Sequence, residues 1–188
     1  TSAPDYETPG SDASSNDYAV TVTISDGTNT GSTISYTVTV DDTNDQTPTY
    51  SSSDATPNIN EGTTAIETLT VTDTDTGDVN ACTLAGDDSE DFTCTVSGDS
   101  VSLAFTSAPD YETPGSDASS NDYAVTVTIS DGTNTGSTIS YTVTVDDTND
   151  QTPTYSSSDA TPNINEGTTA VETLTVTDTD TGDVNACT

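Results

Sequence analysis

The sequence contains no lysine, no arginine and no histidine among its 188 residues, against 33 acidic side chains. No salt bridge between side chains can form, and the formal charge of −33 has no internal counter-charge. Nucleic-acid binding through phosphate contacts requires lysine or arginine, so it has no residues to use here. Attraction to an anionic membrane surface fails for the same reason. Lysine–asparagine isopeptide staples are likewise excluded. Tryptophan and methionine are absent, and no N-glycosylation sequon occurs. No apolar run approaches the roughly 18 residues that a membrane-spanning helix needs. No apolar leader segment is present either, so any signal peptide would lie outside these residues. Apolar residues make up only 28 % of the chain. Low hydrophobicity with high net charge predicts disorder on composition alone. Order must therefore come from patterning, and from cations that neutralise the acids locally.

The patterning is strong. Thr1-Ser2-Ala3-Pro4-Asp5-Tyr6-Glu7 recurs as Thr106-Ser107-Ala108-Pro109-Asp110-Tyr111-Glu112. The offset of 105 holds to the end of the chain, with Ile66 against Val171 as the one mismatch. This period is too long for a helical solenoid repeat and has the size of one β-sandwich domain. The sequence starts and stops in mid-period, as expected of a window on a longer tandem array. Division after each Asn-Asp pair gives the C-terminal part of one domain (1–45), a complete domain (46–150) and the N-terminal part of a third (151–188).

Tyr18-Ala19-Val20-Thr21-Val22-Thr23-Ile24 alternates apolar residues with threonine at period two, as does Thr33 to Val40. Asp26-Gly27 between them supplies turn chemistry, so the pair reads as a hairpin. Shorter strands are expected at 66–71, 81–84, 92–96 and 100–105, separated by Gly-Asp and Asp-Asp clusters. Threonine and valine suit a pleated, half-buried surface and serve helices poorly. The expectation is an all-β fold with about seven strands per period. A core this thin is marginal for about 100 residues, so added staples are expected.

Cys82 and Cys94 lie on strands that flank an acidic loop. They read as an intradomain disulfide, with two buried free thiols as the alternative. The disulfide implies an oxidising, extracellular compartment. Cys187 is the second copy of Cys82, and its partner position lies beyond Thr188. Two thiols without histidine give too few soft ligands for zinc.

The acids fall in clusters that recur with the period. They are Glu61; Asp73 and Asp75; Asp110 and Glu112; Asp131; and the linkers Asp42-Thr43-Asn44-Asp45-Gln46-Thr47-Pro48 and Asp147-Thr148-Asn149-Asp150-Gln151-Thr152-Pro153. Alternation puts Asp73 and Asp75 on one side of an extended segment, and likewise Asp110 and Glu112. Bare, such pairs repel; together they can chelate a hard cation such as Ca²⁺, which takes about six to eight oxygen ligands. An EF-hand loop over 73–84 fails, because its glycine falls one place early and Leu84 stands where the bidentate glutamate is needed. Asp12, Asp17, Asp54, Asp87, Asp88, Glu90 and Asp91 read as solvated surface.

Taken in order, Glu61, Asp73 with Asp75, Asp110 with Glu112, Asp131 and the Asp147–Pro153 linker resemble the motif series of the cadherin repeats. The resemblance spans the full period. Pro109 and Tyr111 depart from the family's leucine and arginine, and Gln151 from its last asparagine. The resemblance implies tandem seven-stranded Greek-key, immunoglobulin-like β-sandwiches with Ca²⁺ between successive domains, about three ions per junction. At the first junction it implies ligands from Asp5, Glu7, Asp42, Asn44 and Asp45, meeting Asp73, Asp75, Asn80 and Asp131. At the second it implies Glu61, Asp110, Glu112, Asp147, Asn149 and Asp150, meeting Asp178, Asp180 and Asn185. The lack of basic residues is more like a microbial surface protein than an animal cadherin.

These features predict an extracellular structural array, with Ca²⁺ turning flexible beads into a rod that serves as adhesin stalk, surface filament or matrix fibre. Its partners would be neighbouring copies of the same repeat, with no direct insertion into a membrane. The alternative is an adhesive module whose repeats themselves bind a glycan or a protein. An enzyme is not expected. The carboxylate pairs could do acid–base work on glycosides, but they recur in each repeat. No basic side chain can bind or polarise a substrate, and no aromatic platform for a sugar is evident.

Overall fold

The computed structural model describes residues 2–76, 80–182 and 186. The strands are β1 (Asp17–Ser25), β2 (Thr30–Thr39), β3 (Asn58–Asn60), β4 (Ala65–Thr70), β5 (Ala81–Ala85), β6 (Phe92–Ser97), β7 (Ser100–Phe105), β8 (Asp122–Ser130), β9 (Ile139–Asp146), β10 (Thr154–Ser156) and β11 (Thr175–Thr177). One 3-10 turn, Ser89–Asp91, precedes β6. Among the described residues no helix is long and apolar enough to cross a membrane.

The seven strands β3 to β9 form two sheets, ordered β3-β9-β8-β5 and β4-β7-β6. Strands β8 and β9 pair antiparallel from Asp122↔Thr144 to Val127↔Ile139. Strand β3 lies parallel to β9, a short contact with no alternating signal in the sequence. Alternation along β8 points Tyr123, Val125, Val127 and Ile129 into the core, where they meet Leu69, Val101, Leu103, Tyr141, Val143 and Val145. Each such aliphatic side chain contributes about 1.5–3 kcal/mol by leaving water. Phe92 stacks on Phe105 at 4.6 Å, and Phe105 meets Tyr123 edge-on at 5.0 Å. The Cys82–Cys94 disulfide forms and ties β5 of one sheet to β6 of the other. Cys187 lies outside the described residues.

The repeat supplies an internal control. Strands β1 and β2 form the expected hairpin, with Tyr18 opposite Val38. Ile24 is nevertheless 73 % exposed and Tyr36 51 %, whereas their copies Ile129 and Tyr141 are 0 % and 1 % exposed. Burial is therefore set by the opposing sheet and not by the hairpin's own sequence. The segment from β10 to β11 behaves likewise, with Leu174 exposed where its copy Leu69 is buried.

Two acids correct the solvated-surface expectation. Asp88 is buried. It accepts the backbone N–H of Asp117 at 2.7 Å and of Ala124 at 2.6 Å. A carboxylate buried without a cation is tolerated only when such donors replace water. Asp91 is half-buried, and burial, Asp88, Glu90 and Asp117 raise its carboxyl above the ordinary range. A further acid, Glu67, anchors the two sheets. It accepts the hydroxyls of Ser52, Ser53 and Tyr141, each at 2.6 Å, and the Ser53 N–H at 2.7 Å. Burial opposes its ionisation, but these four donors outweigh it and hold its pKa at about 2. At Gly136 the Pro48 carbonyl and the Tyr50 ring approach to 2.6 Å of where a Cβ would sit, so the chain after the first linker lies tight against the loop before β9.

Candidate metal centres at the two linkers

At the first linker, Glu7, Asp42 and Asp75 each bring a carboxylate oxygen within 4.8 Å of the others. Asp42 is placed by the loop after Thr72: its Oδ2 accepts the Thr76 N–H at 2.6 Å and the Thr76 hydroxyl at 2.5 Å. Those two donors hold the Asp42 carboxyl below the usual range. Asp75 is placed in turn by the linker, its Oδ2 accepting the Gln46 N–H at 2.7 Å. Each segment thus orients the other's carboxylate. The opposite oxygens, Asp42 Oδ1 and Asp75 Oδ1, are buried without a hydrogen-bond partner, as are Glu7 Oε1, Asp73 Oδ2 and Asn80 Oδ1.

Asp131 is joined to Asn44 of the same linker through Asn134. Asp131 is buried and accepts the N–H groups of Thr133 and Asn134 at 2.7 and 2.6 Å. The Asn134 side-chain nitrogen then donates to Asn44 Oδ1 at 2.8 Å and to Asp131 Oδ2 at 3.3 Å. Asp5 is exposed, and its Oδ1 accepts the Thr8 N–H at 2.8 Å. Asp45 is exposed and takes the Gln46 side-chain amide at 2.6 Å.

At the second linker two groups share Glu112: Glu61, Glu112 and Asp150, and Glu112, Asp147 and Asp180. Both Glu112 oxygens are buried without a partner, as are Asp147 Oδ1 and Asp178 Oδ1. Burial, then the charges of Glu61, Asp147 and Asp180, push the Glu112 carboxyl up. Glu61 is buried and spans three segments. Its oxygens accept the Tyr111 N–H and the Thr148 N–H, both at 2.7 Å. Asp147 Oδ2 accepts the Thr181 N–H at 2.5 Å and also the Thr181 hydroxyl, and Gln151 N–H meets Asp180 Oδ2 at 2.9 Å. Asp110 Oδ1, like that of its copy Asp5, accepts the N–H three residues on, from Thr113 at 2.9 Å. Asn149 is exposed. Asn185 lies outside the described residues.

The structure thus draws Glu7, Asp42 and Asp75 together at one linker, and Glu61, Glu112, Asp147, Asp150 and Asp180 at the other. Asp5, Asn44, Asp45, Asp73, Asn80, Asp110, Asp131, Asn149 and Asp178 stand outside these groups. Sequence reasoning missed Thr76, Thr181 and Asn134, which aim the acids. Only the position of a threonine after each Asp-x-Asp could have signalled the first two.

Carboxylates this close repel by about 1 kcal/mol per pair even in bulk water, and no basic side chain is available anywhere to relieve them. The donor set is entirely hard oxygen, from carboxylates and side-chain amides, and suits Ca²⁺ rather than thiophilic metals. The buried, partnerless oxygens are the direct sign of fit, because a group of that kind needs a cation or a donor.

No family model matches the chain, and no curated protein matches it. The solved structures that it resembles include extracellular cadherin domains. Mouse Protocadherin-24 EC1-3 aligns over 97 % of this chain and 60 % of its own length, with TM-score 0.64 and 19 % identity. Human CDH23 EC21-23 aligns over 93 % of this chain and 57 % of its own, with TM-score 0.57 and 22 % identity. The Protocadherin gammaB7 EC3-6 cis-dimer aligns over 89 % and 41 %, with TM-score 0.57 and 24 % identity. The chain therefore has the cadherin-repeat fold, and it spans less than two thirds of each of these structures.

Proposed function

We propose that the chain is part of an extracellular structural array in which Ca²⁺ at the linkers locks successive cadherin-like repeats into a rod. In this reading residues 46–150 are one complete repeat, flanked by parts of two others at 1–45 and 151–188. Glu7, Asp42, Asp73, Asp75, Asn80 and Asp131, with Asn44 and Asp45, would hold ions at the first junction. Glu61, Glu112, Asp147, Asp150, Asp178 and Asp180 would hold them at the second. The observation that carries the reading is the convergence of carboxylates on Asp42 and Asp147 from both flanking segments, with buried, partnerless oxygens on Glu7, Asp42 and Asp75 at one linker and on Glu112 and Asp147 at the other. Bound Ca²⁺ supplies the counter-charge that the composition lacks. Three ions per junction, the count that the cadherin likeness implies, would engage these residues and linker carbonyls together.

The role is structural and adhesive, as stalk, filament or matrix fibre. Neighbouring copies of the same repeat are the partners expected, and the cis-dimer among the similar structures lends support to self-association. The test compares thermal melts and small-angle scattering in Ca²⁺ and in EDTA. Chelation is expected to lower the melting temperature by many degrees and to shorten the maximum dimension. Superimposable curves in both measurements would sink the proposal.

A further inference from the structure

The sheet β4-β7-β6 ends on one side at β6. Pairing with β7 runs without interruption from Phe92↔Phe105 to Ser97↔Ser100. The Phe105 N–H donates to Thr64 on the β4 side. In an antiparallel ladder this parity turns Ala104, Ser102 and Ser100 toward β6. Thr93, Thr95 and Ser97 therefore spend their backbone groups on β7, and Phe92, Cys94 and Val96 direct theirs outward. The Phe92 N–H is taken by Ser89. For the N–H and C=O of Cys94 and Val96 there is no backbone partner among the described residues.

Edges of this kind are normally blunted by charge, proline or a bulge. Strand β4, the other edge of the same sheet, has both Glu67 and a bulge between Ala65 and Glu67. Strand β6, Phe-Thr-Cys-Thr-Val-Ser, has no charge, no proline and no bulge, in a chain with 33 acids. The disulfide fixes its centre to β5. The acids resume at both ends: Glu90 and Asp91 before Phe92, and Asp99 in the two-residue turn after Ser97, where Gly98 takes φ +58°. Glu90 and Asp91 also line a cavity of about 240 Å³ with Phe105, Asp110 and Tyr123.

We propose that the outer edge of β6 accepts an extended segment of a cationic partner by strand addition, its basic side chains meeting Glu90 and Asp91 at one end and Asp99 at the other. Main-chain bonds to Cys94 and Val96 give the affinity in such a mode, and the flanking charges choose the partner. A second copy of this chain is the wrong occupant. Antiparallel pairing of two β6 strands would set Glu90 and Asp91 of each against Asp99 of the other, with no basic side chain between them. A lysine- or arginine-bearing segment has the complementary charge, and the field of the whole chain draws it in. The cavity beside Asp91 has room for one basic side chain on an aromatic wall, where a cation is favoured.

The test uses the whole chain in calcium-containing buffer and a synthetic peptide of alternating threonine and valine with lysine at each end. Calorimetry is expected to show saturable binding of one peptide per chain that weakens with added salt. A glutamate-ended counterpart is expected to bind at least about tenfold more weakly. Hydrogen exchange of the wild-type chain is expected to slow at the Cys94 and Val96 amides when the lysine-ended peptide is added. Val96→Pro removes an outward N–H at a position where edge prolines are tolerated, and is expected to abolish binding. Glu90→Gln with Asp99→Asn is expected to weaken the lysine-ended peptide about tenfold. The proposal is overturned by absent saturation, by equal binding of the glutamate-ended peptide, or by protection on strands other than β6. Concentration-dependent dimers that Val96→Pro dissolves would overturn it in favour of self-pairing. If Val96→Pro does not fold, the exchange map on the wild-type chain decides alone.

Discussion

The side-chain nitrogen of Asn134 lies 2.8 Å from Asn44 Oδ1, joining residues 90 positions apart. The same nitrogen holds Asp131 Oδ2, so one neutral amide aims two oxygens at the first linker. Groups that orient metal ligands typically matter by about 10–100-fold in affinity. Asn134→Leu is therefore expected to weaken Ca²⁺ at the first linker at least about tenfold, with little change in the EDTA melt. Calcium titration calorimetry on the variant checks this, and an unchanged isotherm would remove Asn134 from the site.

Glu112 belongs to both groups at the second linker, and its two oxygens have no donor. Glu112→Gln removes a charge that only a cation can satisfy. In EDTA the variant is expected to melt at or above the wild-type temperature, because repulsion is relieved. In Ca²⁺ it is expected to gain less than the wild type does. An equal calcium-induced rise in both proteins would show that Glu112 does not bind the ion.

Glu67 contributes an acid limit to the sandwich of β3 to β9. Its carboxyl sits at about 2 in the fold against an ordinary 4.5. A depressed carboxyl contributes stability that is full above the unfolded value and is lost as pH falls through the folded one. Unfolding free energy in EDTA is therefore expected to decline between pH 4.5 and about 2, through the Glu67 bonds to Ser52, Ser53 and Tyr141. Asp91 has the opposite sign: its raised carboxyl favours the protonated fold and adds stability as pH falls through its folded value. Urea melts across this range on wild type and Glu67→Gln separate the two, and the variant should show a shallower acid limb, the remainder belonging to the other depressed carboxyls such as Asp42, Asp131 and Asp147. An identical limb in both would assign the acid sensitivity elsewhere.

The Cys82–Cys94 bridge closes a loop of sequence separation 12. For such loops the constraint on the unfolded chain amounts to about 2–4 kcal/mol. A sandwich of this size shifts its melting point by about 4–8 °C per kcal/mol. Cys82→Ser with Cys94→Ser is expected to lower the melting temperature by more than about 8 °C in Ca²⁺ buffer. A shift within a degree or two would show that the two sheets hold β5 and β6 without the bridge.

Much of this architecture was legible before the fold was known. The repeat could be read from identity alone, and β8 and β9 from the alternation of valine with threonine. The linker acids stood out because oxygen donors crowd there without any basic residue nearby. Other features had no local signal. Strand β3 is three residues long and owes its place to β9. Asp88 looked like its neighbours Asp87 and Glu90, and only N–H groups 29 and 36 positions away make it a buried acceptor. The bonds by which one oxygen of Asp5 and of Asp110 accepts a backbone N–H three residues on carry no signal in the sequence either. Which oxygen faces an ion is decided by backbone geometry that side-chain order does not encode.

The parallel contact between β3 and β9 has a mechanical meaning. Strand β3 is the first strand of the two-sheet sandwich and β9 the last, and they run in the same direction. Tension along the chain pulls these two strands past one another. The bonds between them, with the Glu61 N–H to Asp146 carbonyl bond just beyond, are then loaded together in shear and do not open one at a time. Glu61 and Asp147 border this clamp, so an ion held there would stiffen the point where force enters the sandwich.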